Sequence, residues 1–140
     1  MRRGEIYFML AKGHGSVQTG FRPVIVVQND IGNHFSPTTI VCNITAAKKK
    51  NLPTHIFIGK SGGLYKESTV LCEQIQTVSK NDLKFYVGRV TDPRTLEKLD
   101  NSVLISLGIT QGYYNEGFRH FKWLKFNVKL WRRKNPRMYR

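Results

Sequence analysis

Six short runs of β-branched and aromatic residues, each closed by a cluster of Gly, Pro, Asn or Ser, leave this 140-residue chain few ways to fold. The runs cover residues 5–10, 24–28, 39–44, 55–58, 69–78 and 85–90, and their composition is that of strands. One helix is predicted after them, in "TDPRTLEKLDNSVLISLG". Asp92 is its N-cap, Pro93 its first residue and Gly108 its stop, with Leu96, Leu99, Val103 and Leu107 on one face. Six strands followed by a helix that must bury one face predict a mainly β domain. The expected form is a small, strongly bent antiparallel barrel with the helix packed against it.

That pattern ends near residue 110, so one domain is placed at residues 1–110 and an appendage at 111–140. The appendage, "GYYNEGFRHFKWLKFNVKLWRRKNPRMYR", interleaves basic residues with aromatics, both tryptophans included. Leu124, Phe126, Val128 and Leu130 alternate at strand period, while Phe118, Phe121, Leu124, Val128 and Trp131 fit a helical stripe, and the sequence leaves both open. Such a segment can follow a phosphate backbone and stack bases; the alternative is an extension kept in solution by its charge.

The chain carries 23 Lys and Arg against 9 Asp and Glu, a net charge of +14. A field of that sign favours polyanionic partners such as nucleic acid or an acidic protein segment. The excess is uneven. Residues 111–140 hold nine basic residues and one acid, Glu116, and so contribute +8 of it. No apolar run approaches the roughly 18 residues that span a bilayer, and Glu5 interrupts the basic start before any signal-like apolar stretch, so a cytoplasmic protein is expected. Cys42 and Cys72 lie in apolar runs, which suits buried thiols better than a disulfide or a metal site.

Several motif-like stretches carry no chemistry. "GKSGG" at 59–63 lacks the glycine a phosphate loop needs five positions earlier, where Thr54 stands, and reads as a glycine-rich hairpin turn. The histidines at 14, 34, 55 and 120 show no metal-ligand spacing, and no metal or cofactor is expected. "AAKKKNLP" is a basic loop. Arg22 is different: in "FRPVIVVQND" a permanent charge abuts the most apolar run of the chain. It either pairs with an acid such as Asp30 or Glu73, lies along the surface, or is held there for use.

"RRGEIYF", "GSVQTGFRPVIVVQND", "FSPTTIVCNIT", "LPTHI" and "VLCEQIQTV" resemble, in order and spacing, the MazF/PemK/Kid family of toxin endoribonucleases over about residues 2–109. The resemblance implies an SH3-like barrel that acts as a homodimer, cuts single-stranded mRNA at a short sequence without metal, and is silenced by a cognate antitoxin. It implies DNA binding only through an antitoxin complex, and cleavage leaving 2′,3′-cyclic phosphate and 5′-hydroxyl ends. On matching positions it makes Arg22 and Thr45 catalytic. Ser16 and Gln18 in the preceding loop, His55, and Glu73 and Gln74 of "EQI" become RNA-binding. Two positions depart from the family pattern: Val17 replaces an acid, and "EQIQT" has Gln76 where relatives have arginine.

The implied chemistry accounts for Arg22. Attack by the RNA's own 2′-hydroxyl passes through a phosphorane with extra negative charge, which a rigid fork of N–H donors stabilises. Pro23 and the stiff run behind it would mount that fork, and Thr45 would offer a hydroxyl to a non-bridging oxygen. An arginine acting as base is disfavoured, because a guanidinium ordinarily gives up its proton only far above pH 7 and the neutral form is costly there. His55 has a better matched ordinary pKa and is a further contributor, or else a substrate-contacting or structural histidine. The rival readings are a non-catalytic binder on the same scaffold, such as a toxin that poisons DNA gyrase, and an attenuated RNA-binding relative.

Overall fold

Alternation along the chain decides the architecture. The structure, a computed structural model, describes residues 1–11, 15 and 20–109. Six strands, β1 (Glu5–Ala11), β2 (Gly20–Val26), β3 (Thr38–Thr45), β4 (His55–Gly59), β5 (Ser68–Ser79) and β6 (Phe85–Arg89), form one antiparallel sheet in the order β4-β5-β3-β2-β1-β6. Two helices accompany it, α1 (Asp30–Phe35) and α2 (Pro93–Ser106). The expectations for residues 111–140 lie outside the described residues.

Successive strand residues point to opposite faces, so the sheet builds two apolar layers. On one face Ile6, Ile25, Cys42, Ile44, Val70 and Cys72 pack with Leu99 of α2, against which Leu96 and Val103 also lie. On the other, Met9, Val24, Val26, Val41, Val78 and Leu83 form a smaller cluster. Val24, Ile25 and Val26 are therefore all buried although they face different ways. Each such side chain contributes about 1.5–3 kcal/mol by leaving water.

The sheet curls until its edges meet through glycine. A 3-10 turn, Ser61–Gly63, joins β4 to β5 as the glycine-rich hairpin expected from "GKSGG". A Cβ built on Gly88 of β6 would stand 2.3 Å from the Gly62 carbonyl oxygen, and one on Gly62, whose φ is +67°, would stand 2.7 Å from Ile6 Cδ1. Only residues without a Cβ let the backbones come this close.

Helix α2 begins as its sequence requires: the Asp92 carboxylate accepts from the Thr95 N–H at 3.0 Å and from its hydroxyl at 2.7 Å. Those bonds hold the Asp92 carboxyl below the usual carboxylate range, the side-chain hydroxyl contributing most. Arg3 pins the N-terminus, donating through Nε to the Val27 carbonyl at 3.0 Å and pairing with Asp100 of α2. No described helix is long and apolar enough to cross a membrane.

Three expectations need correction. Strand β2 starts at Gly20 and ends at Val26, so Arg22 and Pro23 lie inside it instead of before it. The segment after it is not a plain exit: Asn29 accepts from the Gly32 N–H at 2.8 Å and caps α1. Leu107 is 59 % exposed and does not join the buried face of α2, because that helix ends at Ser106.

Candidate active site

The chemistry-bearing residues gather where the sheet stops pairing. Strands β2 and β3 are joined through Val26↔Val41, Ile25↔Cys42 and Val24↔Asn43, and no further pair follows. The next residue of β2 is Pro23, which has no N–H to give a ladder. Beyond it the strands run on as a fork, β2 back to Gly20 and β3 forward to Thr45. Continuing the register by two residues sets Arg22 opposite Thr45, on the face that carries Val24 and Asn43.

Each tine is firmly held. Arg22 is half-buried and still paired on its other side with Met9 of β1, whose side chain is buried with Val24 in the smaller cluster. Thr45 is 1 % exposed and paired with Thr69 of β5. Its Oγ1 accepts from the Ala47 N–H at 3.2 Å, so the hydroxyl proton is what it can offer a further partner.

A bulge supplies the neighbouring wall. The β3–β5 register jumps from Cys42↔Ile75 to Asn43↔Leu71, leaving Cys72, Glu73 and Gln74 opposite no residue of β3. Extra residues on one strand bend it and re-aim side chains. Cys72 stays buried, its N–H donating to the Thr54 carbonyl at 2.8 Å, and a hydrogen bond with Cys42 together with burial pushes its thiol pKa up. Glu73 Oε1 lies 2.8 Å from His55 Nε2, while His55 Nδ1 lies 3.1 Å from the Lys50 carbonyl oxygen. A carbonyl only accepts, so Nδ1 carries a proton.

The bulge also turns Gln74 toward β3. Asn43 Nδ2 donates to Gln74 Oε1 at 2.9 Å, and Gln76 Nε2 donates to Asn43 Oδ1 at 2.7 Å. Asn43 was not singled out in the sequence, where it reads as one polar residue inside an apolar strand. Among the expected site residues, Gln74 is bonded to Asn43 and His55 to Glu73, while Arg22 and Thr45 lie on the strands that extend beyond the Val24↔Asn43 pair. Ser16 and Gln18 lie outside the described residues.

Against known proteins, residues 2–107 match the family model of the PemK-like, MazF-like toxin of type II toxin-antitoxin systems. The chain belongs to this family. Its MazF-like relatives include the endoribonuclease MazF of Staphylococcus saprophyticus and the endoribonuclease EndoA of Bacillus subtilis, each 45 % identical over 112 residues. Those alignments cover 78 % of this chain and 92 % and 96 % of the respective relatives. A mycobacterial endoribonuclease solved in complex with its cognate antitoxin superposes with a TM-score of 0.67 at 26 % identity, covering 80 % of this chain and 99 % of that one. MazF from Deinococcus radiodurans, at 16 % identity and a TM-score of 0.65, shares the fold. The curled six-stranded sheet with its C-terminal helix is thus the PemK/MazF architecture, and the fork and the bulge are its features in this chain.

Proposed function

We propose that this PemK/MazF-family toxin is an endoribonuclease that cuts single-stranded RNA with Arg22 and Thr45, leaving 2′,3′-cyclic phosphate and 5′-hydroxyl ends. The observation that carries the reading is the end of the β2–β3 ladder at Val24↔Asn43, whose register continued by two residues puts Arg22 across from the buried Thr45. The 2′-hydroxyl is the nucleophile. As the phosphorus becomes pentavalent, Arg22 donates to its non-bridging oxygens and Thr45 adds an O–H donor, so charge is met by dipoles already in place. His55 and Glu73, hydrogen-bonded to each other at 2.8 Å, take up the proton released by the 2′-hydroxyl and return one to the leaving 5′-oxygen. Gln74, with the loop residues Ser16 and Gln18, contacts the unstacked bases.

The reading extends to a cytoplasmic homodimer bound and silenced by its own antitoxin, with residues 1–110 as the catalytic domain and 111–140 as a separate basic segment. It is tested with purified protein on mixed-sequence RNA in excess chelator, alongside Arg22→Ala and Thr45→Ala. Scission that disappears in both variants, with cyclic-phosphate ends on the wild-type fragments, supports it. Inhibition of DNA gyrase without scission would replace it with the non-catalytic alternative.

A further inference from the structure

We infer that Asn43 is the clasp of the β5 bulge, a positioning residue that ties both limbs of the bulge to β3 and so sets where Glu73 and Gln74 stand toward RNA; this rests on the nuclease reading above. Along its backbone Asn43 belongs to the near limb, where it pairs with Leu71. Its side chain belongs to the far limb. There Nδ2 donates to Gln74 Oε1 at 2.9 Å, and Oδ1 accepts from Gln76 Nε2 at 2.7 Å. One residue of β3 therefore spans the register jump, with Cys72 and Glu73 lying between its attachments at Leu71 and Gln74.

Burial explains why the jump exists and why it needs closing. Uninterrupted pairing from Cys42↔Ile75 would set Glu73 opposite Ile44, on the face of the larger apolar cluster, where an unpaired carboxylate is costly. Looping out Cys72, Glu73 and Gln74 puts Val70 opposite Ile44 instead and lets Glu73 reach His55. A bulge leaves its own residues without ladder partners, so its shape depends on what ties it down. Cys72 is tied through its N–H to the Thr54 carbonyl, and Glu73 through His55. Asn43 ties the remaining end. At 1 % exposure its polar atoms are satisfied by the two glutamines, and it acts through the bulge and not on RNA directly. Gln74 makes a further interaction as well, so loss of the clasp loosens the bulge without releasing it outright.

Asn43→Leu keeps the branched shape and removes both bonds. Hydrogen exchange read by mass spectrometry on the full-length protein is expected to quicken by roughly tenfold in the peptide carrying Cys72, Glu73 and Gln74, with β6 and α2 unchanged. Cleavage of mixed-sequence RNA is then measured as a double-mutant cycle on the wild type, Asn43→Leu, Gln74→Ala and the double variant. Asn43→Leu alone is expected to lower kcat/KM by roughly three- to tenfold, and by less than about twofold once residue 74 is alanine, since no side chain is left there to position. A merely structural role would cost the same in both backgrounds. Unchanged exchange in the bulge, or an equal penalty in both backgrounds, overturns the inference. Should Asn43→Leu fail to fold, Gln76→Met cuts one arm alone, and the same two outcomes decide. If the wild type makes no cuts, the nuclease reading falls and the cycle is run on retention of the same RNA on filters. A penalty that Gln74→Ala removes then keeps the clasp; a penalty it leaves intact, or no retention at all, sinks the clasp too.

Discussion

Continuing the β2–β3 register two residues past its last pair, Val24↔Asn43, sets Arg22 across from Thr45. The two residues belong to one sheet face and each is anchored on its outer side, Arg22 by pairing with Met9 and Thr45 by pairing with Thr69, with Pro23 marking where the β2–β3 ladder ends. On the proposed reading, the buried run of Val24, Ile25 and Val26 is the mount for that arginine.

Removing only the hydroxyl tests the second tine. Thr45→Val keeps the shape of this buried side chain but leaves nothing to donate, and single-turnover cleavage is expected to fall by about 10²-fold, the usual effect of one such donor. Thr45→Ser, which keeps the hydroxyl, should retain most of the rate at an unchanged melting temperature.

His55 links the bulge at Glu73 to the carbonyl of Lys50 and so to the basic loop before β4. Glu73→Ala releases one end of that link. RNA affinity measured by filter binding is expected to weaken on the order of tenfold.

Stability should respond to pH through the α2 cap. The Asp92 carboxyl lies below its ordinary value in the folded chain because Thr95 bonds to its ionised form. The stabilisation is therefore present above the ordinary carboxylate pKa and is lost as pH falls through that value toward the folded one. Melting followed by circular dichroism from pH 7 down to pH 3 should show a shallower acid decline for Asp92→Asn, which caps without titrating, than for the wild type.

The glycine contact that closes the sheet sets a second stability test. Gly62→Ala places a methyl on a residue at φ +67° and 2.7 Å from Ile6 Cδ1. A loss of roughly 1–3 kcal/mol is expected, seen as a melting temperature lower by about 5–15 °C.

The strands and α2 were legible because their signals are local: β-branched runs bounded by turn residues, and an Asp-Pro start with a glycine stop. Pro23 misplaced the start of β2, since proline usually marks a strand's border and here stands inside a strand that is losing one neighbour. Helix α1 was hidden because Asn29 and Asp30 look alike as turn formers and as a cap. The Arg22 and Thr45 assignments came from resemblance, and their opposition follows only from the β2–β3 register. Asn43 stayed invisible for the same reason: its meaning depends on a register jump in β5 that brings Gln74, thirty-one residues away, into its reach.

The central claim is that Arg22 meets the non-bridging oxygens of the phosphate being cut, and sulfur substitution reads this most directly. Single-turnover cleavage is measured on an oligonucleotide whose scissile phosphate carries sulfur at one or the other non-bridging position, with wild type and Arg22→Ala. The account predicts that one diastereomer slows the wild type by roughly tenfold and that this slowing is absent in Arg22→Ala, where no fork remains to be disturbed. An equal sulfur effect in both proteins would contradict it.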